Sequence, residues 1–407
     1  MRILVVTQYY YPEPFRIHEI CKGLISRGNT VSVMTTFPNY PEGEIYADYK
    51  DKRKKYECID GVEVYRIKSI PRGKTKIRLS LNYLSFWFEG KKKIITLFKK
   101  KRFDIVYSYE VSPIMQVFPA IKYSQQYNIP LMLYCLDIWP ECFRDSFPNE
   151  RTILYKYIKH ISKKIYNSAT KIGVTSKSFI QYLHKECSVP YEKLLYLPQH
   201  ADDVALNEDL TTVENECVDI VFTGNVGESQ NMDQIVDAVK LLSDVENFKV
   251  HIVGAGSALQ HIQERVNKEG LADKIIFYGK RPYKEMTKFY RLADACLLTL
   301  SNKTQTGVTI PGKLQGYMAA GKPIIASING DAADVIKEAA CGICVPADDA
   351  ELLAKAMREF ICNKEKYQDC GINARKYYEK YFTLEKHMDA LNEQLKVMVR
   401  ENENLDN

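Results

Sequence analysis

The sequence predicts an α/β protein of two doubly wound domains, and three observations support this fold class. Short apolar runs alternate with segments long enough for a helix, which is typical of a parallel sheet with crossover helices. The alternation stops over the polar stretch 201–216 and then restarts. A chain of 407 residues also exceeds what one ordinary core accommodates. Because ligands bind at the carboxyl ends of such strands, we expect the functional site in the cleft between the two domains.

The predicted strands are short and rich in aliphatic residues. In the first half they cover 2–7, 30–35, 62–67, 105–108, 131–136 and 171–175, and in the second half 218–223, 249–253, 275–278, 295–300, 323–327 and 343–345. We place the first domain at 1–203 and the second at 217–382. The amphipathic stretch that follows, 383–407, predicts a helix that we expect to pack back onto the first domain.

The composition is that of a globular protein, with 45% hydrophobic and 27% charged residues. No apolar run approaches the ~18–20 residues that a membrane-spanning helix requires. Residues 1–7 show a strand pattern without the apolar region and cleavage site of a signal peptide, so we expect a cytoplasmic protein. The eleven cysteines form no C-x-x-C pair and no cysteine–histidine cluster, which predicts reduced core residues rather than disulfides or a zinc site.

The positive charge is concentrated in the segment 72–102. This segment holds eleven Lys and Arg against one acid, Glu89, a local charge of +10 in a chain whose net charge is +6. Within it, the leucines and aromatic residues of 79–88 favour an interfacial helix on an anionic membrane surface. The alternative is an ordinary helix with solvated lysines after it. Its core face would then comprise Leu79, Leu81, Leu84 and Phe88. Nucleic acid is not expected as a partner, because no DNA- or RNA-binding motif accompanies the charge.

Glycines follow two strands of the second half, at 224 and 227 and at 254 and 256. Backbone amides in such strand-to-helix loops can bind phosphate oxygens, although the same glycines also occur in purely structural turns. A third loop, 306–313, precedes a short helix in the same half, and together the three loops favour a nucleotide. The corresponding turn of the first half, QYYYPEPFR at 8–16, has no phosphate-type glycine and favours an acceptor loop.

Over nearly its whole length the sequence resembles the retaining GT-B glycosyltransferases of family four. Within them it is similar to the bacterial group that builds capsule and O-antigen repeat units, including N-acetyl-L-fucosamine transferases. The matching motifs are YYYPE at 9–13, RGNTVSVMT at 27–35, FPNYPEG at 37–43, DIWPE at 137–141, GNVG at 224–227, GAG at 254–256 and YMAAGKP at 317–323. The resemblance implies two Rossmann-like domains, a nucleotide-sugar donor held by the second domain, and a reaction without metal or cofactor.

The donor-binding residues that the resemblance implies are altered in this chain. Most relatives carry two glutamates eight positions apart, the second of which binds the ribose hydroxyls; here those positions are Val308 and Gly316. A mid-helix glycine at 316 indicates either that something passes close to the helix or that a side chain has been lost. The Arg and Lys that usually hold the diphosphate fall near Asn225 and Gln230.

We therefore expect Lys313, with Thr309 and the loop amides, to neutralise the diphosphate as it departs. The alternative is that Lys313 is a solvent-facing helix residue. The predicted donor site comprises Gly224, Asn225, Gln230, Gly254, Gly256, Lys280, Arg281, Thr309, Gly312, Lys313 and Gly316, of which Lys280 and Arg281 are second-rank candidates.

On the acceptor side, Asp137 follows the predicted strand 131–136 and precedes Trp139. A carboxylate there can orient an acceptor hydroxyl or take its proton, while Trp139 offers a face for a sugar ring. The structural alternative is that Asp137 caps the next helix. We place three further residues near the acceptor's pyrophosphate or sugar: Tyr11, Arg16 and Tyr40.

These observations predict a cytoplasmic, membrane-peripheral, retaining glycosyltransferase with Asp137 and Lys313 as candidate catalytic residues. By the resemblance, it transfers an N-acetylated deoxyhexosamine from a UDP-sugar to an undecaprenyl-diphosphate-linked saccharide. The altered donor residues leave two alternatives open. One is a non-catalytic GT-B scaffold in a polysaccharide-assembly complex, and the more distant one is a sugar-nucleotide epimerase of the same fold.

Overall fold

A computed structural model describes residues 1–51, 53–73, 75–146, 149–201, 203–213, 215–302 and 309–406. The chain divides into two compact units. Residues 1–197 and 388–407 form the first unit, and residues 198–387 form the second. Each unit is built around its own sheet.

The first unit contains a sheet of eight strands among the described residues. They are β1 (Arg2–Val6), β2 (Thr30–Thr36), β3 (Tyr56–Ile59), β4 (Val62–Ile67), β5 (Ile105–Glu110), β6 (Leu131–Cys135), β7 (Lys171–Val174) and β8 (Leu194–Tyr196). The strand order is β3-β4-β2-β1-β5-β6-β7-β8, and every pair is parallel except β3–β4. Every residue of β5 and β6 is buried, as expected of a parallel sheet covered on both faces.

Helices cover this sheet. They are α1 (Ile17–Ser26), α2 (Lys76–Leu97), α3 (Phe118–Tyr127), α4 (Ile153–Ser168) and α5 (Lys177–Cys187). The Thr75 hydroxyl caps α2 by accepting a hydrogen bond from the N–H of Arg78. Gly90 allows α2 to lie close to α3, because a Cβ at that position would come within 2.7 Å of Pro119.

The second unit has a sheet of six strands in its described part. They are β9 (Val218–Thr223), β10 (Phe248–Val253), β11 (Ile275–Gly279), β12 (Ala295–Thr299), β13 (Ile324–Ser327) and β14 (Gly342–Val345), in the order β11-β10-β9-β12-β13-β14. The helices are α6 (Met232–Lys240), α7 (Leu259–Lys268), α8 (Met286–Leu292), α9 (Gly312–Ala319), α10 (Asp331–Glu338), α11 (Ala350–Cys362) and α12 (Gln368–Tyr381). All the strand pairs are parallel.

The last helix, α13 (Leu384–Asp406), packs on α1 of the first unit from Met388 onward. A Cβ on Gly23 of α1 would lie 2.8 Å from the Met388 side chain, so that glycine lets the two helices approach. Beside this contact, Arg27 forms an ion pair of 2.7 Å with Asp389.

Each of the twelve predicted strands is present, and the predicted fold class of two doubly wound domains is confirmed. Two strands were not predicted, β3 and β8. The β3–β4 hairpin turns at Asp60 and Gly61, which both have positive φ, at 49° and 81°. Asp-Gly between two strands is a strong hairpin signal, so the pattern was available in the sequence.

The cysteines are free thiols, but they are not uniformly core residues. Five are buried: Cys21, Cys135, Cys187, Cys296 and Cys341. The expectation of core positions is wrong for Cys58 and Cys362, whose side chains are exposed.

Candidate functional site

The two glycine loops of the second unit pack against each other at the carboxyl ends of β9 and β10. A Cβ on Gly254 would lie 1.8 Å from the carbonyl oxygen of Gly224, and one on Gly256 would lie 2.3 Å from that of Val226. The Val226 N–H donates a hydrogen bond to the carbonyl of Ala255 at 3.0 Å. The contact between the loops therefore requires glycine at 254 and 256 whether or not a phosphate binds there.

Asn225 and Gln230 close the first of these loops. The Asn225 amide donates to Oε1 of Gln230 at 3.0 Å, and the Gly227 N–H donates to the same oxygen at 3.1 Å. Both side chains are neutral and bond to each other. These positions therefore bring no positive charge to the end of β9.

Lys313 is the candidate that does bring a charge to this edge. The hydroxyl of Tyr317 anchors α9 by accepting a hydrogen bond from the Thr223 N–H at 2.9 Å. One turn earlier on α9, the Lys313 Nζ lies 3.9 Å from the centroid of the Phe222 ring, and a Cβ on Gly224 would lie 3.8 Å from it. The anchored helix thus holds the amine over the end of β9.

The Lys313 amine is enclosed and has no hydrogen-bond partner among the described residues. Burial disfavours the charged form and lowers the pKa of Lys313 to about 7. The alternative of a solvent-facing helix lysine is therefore wrong for this amine. An enclosed amine without an acceptor is suited to a ligand that supplies negative charge.

Gly316 lies one turn after Lys313 on the same helix. A Cβ on Gly316 would meet one described atom within 4 Å, the Tyr290 hydroxyl at 3.4 Å. Because no described backbone passes closer, a lost side chain explains this glycine better than a close approach. The paired position, Val308, lies in the segment 303–308, outside the described residues.

The remaining donor candidates divide into two groups. Thr309 lies three residues before α9, and Gly312 is the first residue of this helix and is exposed. Lys280 and Arg281 are exposed and follow β11, the edge strand, where Arg281 donates to the carbonyl of Tyr278 at 3.0 Å. The edge strand lies two positions from β9 in the sheet, about 10 Å away at ordinary strand spacing. Lys280 and Arg281 therefore follow the edge strand, two strands from the β9 end over which Lys313 lies, and their role stays a prediction.

In the first unit, Glu13 ties together the loops that follow β1 and β2. Its carboxylate accepts hydrogen bonds from the backbone N–H groups of Tyr10, Asn39 and Tyr40, at 3.1, 2.8 and 2.8 Å. Burial raises the pKa of Glu13 to about 7, against these hydrogen bonds. Glu13 thereby fixes the backbone that carries Tyr40.

Arg72 lies at this edge although its sequence position places it in the basic segment 72–102. Its guanidinium carbon is 5.3 Å from the centroid of the Tyr40 ring, and its Nη1 donates to the Tyr9 hydroxyl at 3.4 Å. The Tyr40 ring also packs against Phe15, with the centroids 5.0 Å apart. Sequence reasoning missed this role for Arg72, because one arginine among many basic residues gives no local signal.

Tyr11 and Arg16 occupy different environments. Tyr11 is 44% exposed, and its ring centroid lies 4.8 Å from that of His18. Arg16 immediately precedes α1, and its Nη1 is enclosed without a hydrogen-bond partner in the described part of the chain. Burial raises the pKa of the nearby Tyr134 of β6 well above its usual value, and the charge of Arg16 only partly opposes this shift.

Asp137 links the carboxyl ends of β5 and β6. Its Oδ2 accepts hydrogen bonds from the N–H and the hydroxyl of Ser112, at 3.2 and 2.7 Å, and the Trp139 Nε1–H donates to the Ser112 hydroxyl oxygen at 3.1 Å. Asp137 therefore holds the loop after β5 instead of capping a following helix. The prediction of an open sugar-binding face on Trp139 is not met, because this ring is 4% exposed and stacks on Phe143.

A second carboxyl group, which sequence reasoning missed, lies beside this network. Glu110 is the last residue of β5, fully buried, and neither of its carboxyl oxygens has a hydrogen-bond partner within the described ranges. Burial and, secondarily, the charge of Asp137 raise the pKa of Glu110 well above its usual range. The sequence did contain a signal for this residue, because Glu110 is an acid at the end of the largely apolar and aromatic strand IVYSYE.

Two family models match consecutive parts of the chain. Residues 15–202 match Glycosyltransferase Family 4, and residues 211–377 match Glycosyl transferases group 1. The O-antigen chain mannosyltransferase C of Escherichia coli is 20% identical, with 96% of each chain covered. A glycosyl transferase of Escherichia coli (strain K12), named for colanic acid biosynthesis, is 23% identical, with 79% of this chain and 82% of that protein covered.

Solved structures share the fold at low sequence identity. The sucrose-phosphate synthase of Thermosynechococcus elongatus has a TM-score of 0.76 at 14% identity, with 98% of this chain and 100% of that chain covered. Anabaena Alr3699/HepE in complex with UDP has a TM-score of 0.72 at 14% identity, with the same coverage. At these identities the likeness shows the fold alone, which is the predicted GT-B class.

Proposed function

Since the chain carries a Glycosyltransferase Family 4 domain followed by a Glycosyl transferases group 1 domain, we propose that it is a retaining, metal-independent glycosyltransferase of polysaccharide assembly. It takes a sugar, an N-acetylated deoxyhexosamine, from a UDP-sugar and transfers it to an undecaprenyl-diphosphate-linked saccharide. Relatives named for O-antigen and colanic acid synthesis support the polysaccharide, and the UDP in Alr3699/HepE supports the nucleotide.

The observation that carries the proposal is the enclosed Lys313 amine over the end of β9, which has no hydrogen-bond partner in the described part of the chain. A diphosphate bound there would supply the missing anion and favour the protonated amine. As the bond between the sugar and the diphosphate breaks, negative charge grows on the departing UDP, and a fixed ammonium group stabilises that charge. Lys313 thus performs the task for which many transferases use a metal ion or an arginine.

In the first unit, Asp137 orients the acceptor hydroxyl or takes its proton. Its carboxylate is fixed by two hydrogen bonds from Ser112, so it reaches a substrate without first having to be ordered. In a retaining transfer the hydroxyl attacks the anomeric carbon on the face from which UDP leaves. The leaving phosphate oxygen is therefore a second group that can accept the proton.

The proposal includes peripheral association with the inner face of the cytoplasmic membrane through α2. Its residues Ile77, Leu81, Leu84 and Phe88 form one stripe at helical spacing, and all four are exposed, Ile77 by 75% and Phe88 by 60%. Lys91 and Lys92 follow and are exposed as well. Of the four residues assigned to a core face, only Leu79 packs against the core, where α2 instead buries Tyr83, Phe86 and Ile94. The exposed stripe is a second face of the helix, and it favours contact with a membrane interface. None of the described helices is both long and apolar enough to cross a bilayer.

The test is thermal unfolding of the purified protein with UDP, GDP and their sugars. A ligand that binds only the folded state raises the unfolding midpoint. At a ligand concentration one hundred times the dissociation constant, the free energy of unfolding increases by about 2.7 kcal/mol. We expect UDP and UDP-N-acetylhexosamines to raise the midpoint. In a separate activity assay, we expect the protein to transfer the sugar of the stabilising donor to a lipid-diphosphate acceptor. The neutral Asn225 and Gln230 favour the scaffold alternative, which predicts no shift with any nucleotide. An epimerase would bind UDP-sugars but consume them without an acceptor.

A further inference from the structure

A lysine-rich cavity lies beside α2 in the first unit, and the proposed reaction does not use it. Its volume is about 350 Å³, within the range of small-ligand pockets. The cavity is lined by Phe37, Lys55, Ile67, Lys68, Lys93, Thr96 and Leu97.

The lining combines an apolar floor with a cationic rim. Phe37 and Ile67 are buried at the ends of β2 and β4, and Leu97 adds a third apolar side chain. Three lysines surround them, Lys55, Lys68 and Lys93, and none of the described lining residues is an acid. One of these lysines, Lys93, pairs with the carboxylate of Glu89 at 3.0 Å. The hydrogen bond from Lys93 and, secondarily, the charges of Lys93, Lys92 and Lys68 lower the pKa of Glu89.

Residues 68–70 lead from the cavity to an exposed apolar side chain beside α2. From Lys68 the chain runs along this helix, where the Ile70 N–H donates to the Ser85 hydroxyl at 2.9 Å and the Asn82 amide donates to the Ile70 carbonyl at 2.6 Å. The Ile70 side chain is 38% exposed. A phosphate in the cavity could therefore carry a hydrocarbon group that contacts Ile70.

We propose that this cavity binds the phosphate headgroup of an anionic membrane lipid. The inference rests on the proposed membrane association and adds a specific headgroup site to it. An apolar floor, a cationic rim and an adjacent exposed apolar surface match a phosphate attached to hydrocarbon better than a free anion, which would gain nothing from the apolar surface. Lys55 and Lys68 carry most of the recognition, because Lys93 already has Glu89 as a partner.

The test compares two double variants of equal charge on vesicles of phosphatidylcholine with and without phosphatidic acid. Lys55→Gln with Lys68→Gln removes two charges from the cavity. Lys99→Gln with Lys100→Gln removes two exposed charges just beyond the end of α2, which do not line it. We expect the cavity pair to weaken binding to phosphatidic acid vesicles about tenfold more than the control pair. All four lysines are exposed, so both variants should keep the parent's unfolding midpoint.

An equal loss in the two pairs would mean general surface attraction and would overturn the headgroup site. Inorganic pyrophosphate separates the sources of the phosphate. Suppose that Lys55→Gln with Lys68→Gln weakens pyrophosphate binding but leaves vesicle binding unchanged. The ligand is then a free phosphate, and the lipid assignment is wrong. Stabilisation by UDP should be unchanged in both variants, so failure of the donor proposal and failure of this one give different results.

Discussion

The two candidate catalytic residues, Asp137 in the first unit and Lys313 in the second, are held in opposite ways. The Asp137 carboxylate accepts two hydrogen bonds from Ser112, whereas the Lys313 amine has no partner among the described residues. A satisfied carboxylate is fixed before any ligand arrives. An enclosed amine without an acceptor is costly to charge until an anion binds. The difference indicates a preorganised acceptor side and a donor side that is completed by its ligand.

Replacing Asp137 by asparagine gives the largest expected effect. The asparagine Oδ1 can still accept from Ser112, so the loop after β5 should keep its position while the negative charge is lost. We expect turnover to fall roughly a hundredfold or more, with UDP affinity nearly unchanged. Steady-state kinetics and calorimetric titration of UDP measure the two quantities. If Asp137→Asn turns over at the normal rate, Asp137 is not catalytic and its role is structural.

Replacing Lys313 by alanine should affect binding as well as turnover. A charge-assisted contact contributes on the order of 1.5–3 kcal/mol, so Lys313→Ala should weaken UDP binding about 10–100-fold. Lys313→Met keeps most of the packing on Phe222 and should show the same loss, which separates charge from shape. Because the pKa of Lys313 is lowered to about 7 in the free protein, UDP binding at pH 8 should take up protons. Calorimetry in buffers of different ionisation enthalpy measures this uptake. Unchanged affinity in both variants would remove the proposed donor site.

The sequence predicted the sheets well because a buried parallel strand is encoded locally, by its own apolar residues. The β5 and β6 strands are buried throughout and were both found. The environment of a side chain is not local. Lys313 is enclosed against Phe222, which is 91 positions earlier, and Arg72 lies on the ring of Tyr40. Such contacts depend on which loops the topology brings together.

Adding a side chain at Gly316 tests the donor side in the opposite direction, because we expect it to strengthen UDP binding. The expected change is smaller than that for Lys313→Ala. A Cβ there meets only the Tyr290 hydroxyl at 3.4 Å among described atoms, so we expect Gly316→Glu to fold. A carboxylate at this position could bind the ribose hydroxyls and tighten UDP binding by roughly threefold to tenfold. Gly316→Ala is the matched control and should leave UDP affinity unchanged. If Gly316→Glu folds but no longer binds UDP, the ligand itself passes close to the helix.

The buried carboxyl of Glu110 offers a test of stability and not of activity, and its stability changes with pH in the opposite direction to that of Lys313. Burial raises the pKa of Glu110, so the folded protein keeps this proton at pH values where the unfolded chain has lost it. Stability conferred by the proton is therefore present below the unfolded pKa of about 4.5 and is lost as the pH rises. For Lys313, whose pKa is lowered, the unfolded chain binds the extra proton, and stability rises between about pH 7 and 10.5.

Glu110→Gln replaces a neutral carboxylic acid by a neutral amide of similar shape, and it does not titrate. We expect the parent to lose stability relative to Glu110→Gln between pH 5 and pH 8, with a slope of at most about 1.4 kcal/mol per pH unit. Relative to Lys313→Met, the parent should gain stability between pH 7 and pH 10. Urea denaturation across both ranges measures the differences. A difference between parent and Glu110→Gln that does not vary with pH would mean that Glu110 is ionised in the folded protein, and the raised pKa would then be wrong.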